Sequence, residues 1–128
     1  MAKILVVDDE PDVIEIVRFR LEKDGHNVLT APDGEAGIAS AVAHQPDLIV
    51  LDVMMPGING FEVVFQIKNN PRTADTPIIM LTAKTDMSSI SKGWSMDVDN
   101  YVTKPFDLDE LAKTVKNVLI FRGKMTAD

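Results

Sequence analysis

Asp47-Leu-Ile-Val-Leu-Asp52-Val-Met-Met-Pro-Gly-Ile-Asn-Gly60 is the stretch on which the reading of this chain turns. Its four apolar residues, 48–51, predict a strand buried on both faces. The run meets an aspartate, and Pro56, Gly57, Asn59 and Gly60 then forbid the strand from continuing. A carboxylate at the carboxyl end of a buried parallel strand lies where open sheets have their ligand crevice. Asp52 is therefore read as a candidate site carboxylate, served by the other polar residues that the fold brings to the same edge.

Upstream, residues 3–7 form another short apolar run, which stops in Asp8, Asp9 and Glu10. Pro11 suits the first turn of a helix with Asp9 or Glu10 near its cap. Val13, Ile14, Val17 and Leu21 follow at helical spacing, and Gly25 ends the element. Residues 26–30 predict a second strand, Asp33 and Gly34 a turn, and the alanine-rich residues 35–43 a helix. Downstream, a helix is expected to start near Gly60, cover 61–68 and close at Asn69-Asn70-Pro71. Pro77 opens a strand at 78–81 that ends in Thr82 and Ala83. Residues 86–94 predict a weakly held helix, with apolar side chains only at Met87, Ile90 and Trp94. A fifth strand at 98–102 precedes Thr103, Lys104 and Pro105, and a last helix spans 108–121. Strands alternating with helices predict an α/β fold, a doubly wound parallel sheet with helices on both faces. One domain over 1–122 is expected, with 123–128 a polar tail or the start of a linker.

With 128 residues, 45% hydrophobic and 26% charged, the chain can bury one core of ordinary size. A net charge of −7 argues against nucleic-acid binding, which needs a basic face. The absence of cysteine excludes disulfides and thiolate metal sites. Residues 4–7 are too short an apolar run for a signal peptide or membrane span, so a cytoplasmic protein without membrane insertion is expected.

Parallel strands place Asp8, Asp9, Asp52, Thr82 and Lys104 at one edge. Two carboxylates ~4 Å apart repel by about 4 kcal/mol at an effective dielectric near 20. Such a cluster raises a pKa or holds a hard cation, and oxygen-only ligands favour Mg²⁺ or Mn²⁺ over zinc. A cation and a lysine around a carboxylate suit phosphoryl transfer, in which positioning and charge neutralisation do most of the catalysis.

The segments Val6-Val-Asp-Asp-Glu-Pro11, Leu51-Asp-Val-Met-Met-Pro-Gly-Ile-Asn-Gly60, Leu81-Thr-Ala83 and Tyr101-Val-Thr-Lys-Pro-Phe106 together resemble the receiver domain of two-component response regulators. Order, type and spacing agree from about Lys3 to Phe121. The resemblance implies a five-stranded, flavodoxin-like sheet of order 2-1-3-4-5, as in stand-alone chemotaxis receivers. It implies that Asp52 is the phosphoacceptor, and that Asp8, Asp9, Asp52 and the Met54 backbone carbonyl hold the metal. Thr82, Ala83 and Lys104 would receive the phosphoryl oxygens, and Thr82 with Tyr101 would form the switch. Pro105 follows a cis-peptide candidate. Met54 and Lys84 fall where the family tunes dephosphorylation.

Each residue alone has a blander reading: Asp8-Asp9 as a solvated cap, Thr82 as a satisfied strand-end hydroxyl, Lys104 as a surface cation, Tyr101 as core. Their joint placement favours the site. Val13, Ile16, Phe19 and Pro105 are expected to dock a histidine kinase or phosphotransfer protein, with 85–121 the surface read by a downstream target. Asp97-Val-Asp-Asn100 departs from the family's Gly-Ala-Asp-Asp, and Thr114 replaces an arginine that supports phosphorylation-dependent dimers. The rival functions are a non-phosphorylated adaptor with this fold, an aspartate-nucleophile phosphohydrolase and a flavodoxin-like cofactor binder.

Overall fold

A computed structural model of the chain describes residues 2–83 and 98–126. In chain order the elements are β1 (Lys3–Val7), α1 (Pro11–Lys23), β2 (Asn27–Ala31), α2 (Gly34–His44), β3 (Leu48–Asp52), α3 (Gly60–Lys68), β4 (Ile78–Ala83), β5 (Asn100–Lys104) and α4 (Leu108–Phe121). The sheet is parallel throughout, in the order β2-β1-β3-β4-β5. The helix predicted over residues 86–94 lies outside the described residues, as does Lys84.

The twofold repeat of the strands sorts side chains into two cores. Ile4, Val6, Leu48, Val50, Ile79 and Leu81 face α1 and α4, where Val17, Leu21, Leu111 and Val115 meet them. Leu5, Val7, Ile49, Leu51, Ile78 and Met80 face the other way, onto Ala41 of α2 and Val63, Val64 and Ile67 of α3. Every residue of β3 is buried, which is why that strand reads as a continuous apolar run.

Two strand positions differ from the expectation. β2 starts at Asn27 because the His26 amide still donates to the Leu21 carbonyl and belongs to the end of α1. β5 sits two residues later than the apolar pattern suggested. Asp99 closes the strand's beginning: its amide donates to the Ile78 carbonyl, and its carboxylate accepts from the Ile78 amide. Thr82 and Ala83 then pair with Thr103 and Lys104, so β4 also runs through Ala83. β5 is an edge strand with half-buried side chains from Tyr101 to Lys104, so its ladder continues through polar residues.

The chain turns from β3 into α3 in little space. The Gly60 amide donates to the Val53 carbonyl, and a Cβ at Gly60 would lie 2.6 Å from the Asp52 carbonyl oxygen. At the far end, Gly123 takes φ 74°. Its amide and that of Lys124 return to the Ile120 and Leu119 carbonyls, a Schellman closure of α4. Met125 then packs against the α1–α4 core, so the residues just past α4 are laid onto the domain. No helix among the described residues is long and apolar enough to cross a membrane.

Candidate functional site

The carboxyl ends of β1, β3, β4 and β5 deliver Asp8, Asp52, Thr82 and Lys104 to one edge of the sheet. Asp8 follows the last residue of β1 and is fully buried. One of its oxygens accepts from the Glu10 amide at 2.9 Å, and the other accepts from Lys104 Nζ at 3.0 Å. Asp52 ends β3 with only 5% of its surface exposed. Its nearer contact to the lysine is 3.5 Å. Lys104 thus lies closer to Asp8 than to the candidate acceptor.

Burial pushes the Asp52 carboxyl up to about 7, and the neighbouring Asp8 charge pushes the same way. Lys104 and the Met54 backbone amide pull it back only in part. Burial alone would depress the Lys104 ammonium, but Asp8, Asp52 and Glu10 outweigh it and raise it overall. A half-buried cation shared among carboxylates is held in its charged form by their hydrogen bonds and charges.

Asp8, Asp9 and Glu10 each bring a carboxylate oxygen within 4.8 Å of the others. An all-oxygen acidic donor set of this kind fits a hard divalent cation. An open cleft beside Asp9 is lined by Pro32, Asp33, Gly34, Pro56 and Ile58. Met54 is 56% exposed at the mouth of the site, whereas Met55 is buried.

Thr82 is buried, and its hydroxyl donates to the Ala83 carbonyl at 3.2 Å. The Tyr101 ring packs against the α2–α3 core. Its hydroxyl is enclosed with no hydrogen-bond partner among the described residues, and burial raises the phenol. The Lys104–Pro105 peptide bond is cis. Of the proposed docking residues, Ile16 is 50% and Phe19 72% exposed, and Pro105 is exposed. Val13 is half-buried against the α1–α4 core and offers less surface.

Glu10 was expected near the cap of the first helix and not at the site. It does occupy the N-cap of α1, but its side chain turns to Lys104 at 3.4 Å instead of capping the helix. Its position directly after Asp8-Asp9 was the available signal.

The family model described as "Response regulator receiver domain" matches residues 4–116. The DNA-binding dual master transcriptional regulator RpaA of Synechocystis is 42% identical over 119 residues, covering 93% of this chain and 49% of that protein. Protein PilH of Pseudomonas aeruginosa is 39% identical over 119 residues, covering 93% of this chain and 98% of PilH. The crystallised chemotaxis response regulator CheY4 of Vibrio cholerae superposes with a TM-score of 0.86 at 36% identity, covering 93% of this chain and 99% of that one. The chain spans about half the length of RpaA and of the PhoP regulator of Bacillus subtilis, and nearly all of PilH.

Proposed function

The chain belongs to the response regulator receiver domain family of two-component signalling, and on that premise we propose that it is a switch thrown by phosphorylation of Asp52. The observation that carries this reading is the shared ammonium. Lys104 Nζ lies 3.0 Å from buried Asp8 and 3.5 Å from buried Asp52, so a fixed cation stands beside the acceptor.

The reaction follows from these groups. A carboxylate oxygen of Asp52 attacks the phosphorus of a phosphohistidine on a kinase or phosphotransfer protein. The O–P bond forms as the P–N bond breaks, and the imidazole departs to leave an aspartyl phosphate. Lys104 neutralises charge on the transferred oxygens. Asp8, Asp9, Asp52 and the Met54 carbonyl would hold Mg²⁺ or Mn²⁺, which supplies positive charge that favours the ionised Asp52 carboxyl and the incoming phosphoryl group. The Thr82 hydroxyl exchanges the Ala83 carbonyl for a phosphoryl oxygen, beside the small Ala83 side chain. With Tyr101 it passes the change to the surface that a downstream protein reads. Phosphorylation adds about −1.5 to −2 charges to do this.

Transfer of radiolabelled phosphoryl from an autophosphorylated histidine kinase tests the reading. The label should appear on the wild-type chain, be released by hydroxylamine as acyl phosphates are, and be absent from Asp52→Asn. A hydroxylamine-resistant label, or one retained by Asp52→Asn, would contradict it.

The exposed α1 residues give a second expected result. Ile16→Asp should slow transfer from the kinase about tenfold, since an apolar contact at a docking centre is replaced by a charge. Uptake from acetyl phosphate, which needs no docking, and the melting temperature should stay as in wild type, because Ile16 is half exposed. Equal kinase transfer rates would remove α1 from the docking surface.

A further inference from the structure

The four helices of the described fold begin in two different ways. Asp33, Asn59 and Asp107 stand before α2, α3 and α4, and each accepts a bond from a backbone amide of the first turn. Glu10 stands before α1 and accepts none with its side chain. Its carboxylate reaches instead across 94 residues of sequence to Lys104, with Oε1 at 3.4 Å from Nζ.

Lys104 therefore has three carboxylate partners, at 3.0 Å for Asp8, 3.4 Å for Glu10 and 3.5 Å for Asp52. They are not alike. The Asp8 and Asp52 side chains are 0% and 7% exposed, whereas that of Glu10 is 62% exposed. Glu10 is the partner on the solvent side, farther from the interior than the candidate acceptor. The ammonium has three protons and is shared among all three groups.

We propose that Glu10 is a positioning residue that draws Lys104 toward the rim of the site, and so competes with the arriving phosphoryl group for the same ammonium. This inference rests on the receiver reading given above. A fixed cation lowers the barrier to phosphoryl transfer to the extent that it faces the oxygens on which charge develops. Every bond that holds Lys104 elsewhere opposes that orientation. Asp8 also serves the ligand set of Asp8, Asp9, Asp52 and the Met54 carbonyl, and Glu10 adjoins that set with an oxygen within 4.8 Å of Asp8 and Asp9, so the rates below are compared at saturating Mg²⁺. The contact of Glu10 with Lys104 acts as a brake on the uptake rate of the unphosphorylated chain. The brake is weak, because an exposed ion pair is screened by water.

The test compares initial rates of phosphoryl uptake from acetyl phosphate at saturating Mg²⁺, read by intact mass across a range of donor concentrations. Glu10→Gln is expected to raise the maximal rate about two- to fivefold, the range that a partly screened ion pair allows. Glu10→Asp, which keeps the charge on a shorter arm, should fall between Glu10→Gln and wild type. Asp12→Asn removes the same charge from the exposed first turn of α1 and serves as the control. It should leave the maximal rate unchanged, because a general loss of negative charge eases donor encounter and lowers only the half-saturating concentration. A Glu10→Gln maximal rate equal to wild type, or an Asp12→Asn variant with the same gain, would overturn the role of Glu10 while leaving the receiver reading intact. Wild-type chain that takes up no phosphoryl group from this donor or from a kinase would overturn that reading and this inference with it.

Discussion

Gly60→Ala is expected to destabilise the protein by about 3 kcal/mol or more, although alanine is the better helix former by about 1 kcal/mol. Gly60 is the first residue of α3, where a side chain would ordinarily be welcome. Here the added Cβ would stand 2.6 Å from the Asp52 carbonyl oxygen and 2.8 Å from Val53 Cα. Both are backbone atoms at the end of a fully buried strand, and neither can give way without moving β3 or α3. The contrast is Gly34, whose added Cβ would meet the side chains of Ile58 and Val63 at 2.6 and 2.8 Å. Those side chains can shift, so Gly34→Ala should cost distinctly less. Urea unfolding of the two variants makes the comparison. A Gly60→Ala midpoint at or above that of Gly34→Ala would show that the β3–α3 turn has slack which the packing denies. Because the same turn carries Asp52, the Gly60 variant should also lose phosphoryl uptake under conditions where it remains folded.

The second large effect runs the other way. Asp52→Asn is expected to stabilise the protein in the absence of divalent cations, by about 2–4 kcal/mol above pH 7. The folded carboxyl titrates at about 7 against 3.8 without the fold, chiefly because it is buried and next because Asp8 is near. Folding therefore penalises the charged form. The wild type loses stability as pH rises from about 4 through about 7, where the folded chain holds a proton that the unfolded chain has released, and the loss is constant above that window. Asparagine escapes the penalty, and Lys104 keeps Asp8 and Glu10 as partners. The stability gap between the two proteins should thus open across this window and shrink when Mg²⁺ is added, since the cation favours the wild-type carboxylate. A variant no more stable than wild type at pH 8 in chelator would mean that Asp52 is better solvated than its 5% exposure implies.

Much of this arrangement was legible because burial writes itself into composition. β1 and β3 are enclosed on both faces, and their apolar runs give their positions directly. Pro11 and the spacing through Leu21 mark α1, and the stripe from Leu111 to Leu119 marks α4. β5 was harder to place, since an edge strand is only half buried. Thr103 and Lys104 carry the ladder, while Val98 packs on the α2–α3 core ahead of it. At the site, parallel strands made the gathering of Asp8, Asp52 and Lys104 foreseeable. The preference of Lys104 for Asp8 over Asp52, and the swing of Glu10 away from its helix, were not. Both depend on how three carboxylates divide one ammonium, which spacing along the chain does not encode. The tail gave a similar lesson: Met125 lies among polar neighbours in sequence, yet the turn at Gly123 returns it to the core.

The central claim is that Asp52 carries the phosphoryl group. Intact mass after incubation with acetyl phosphate and Mg²⁺ tests it most directly, with Asp52→Asn and a chelator control alongside. The account predicts a gain of one phosphoryl group by the wild type, and none by Asp52→Asn or in chelator. An adduct that persists in Asp52→Asn would place the chemistry on another residue. No adduct from this donor or from any histidine kinase would contradict the switch and leave the chain as an adaptor that uses the receiver fold without its reaction.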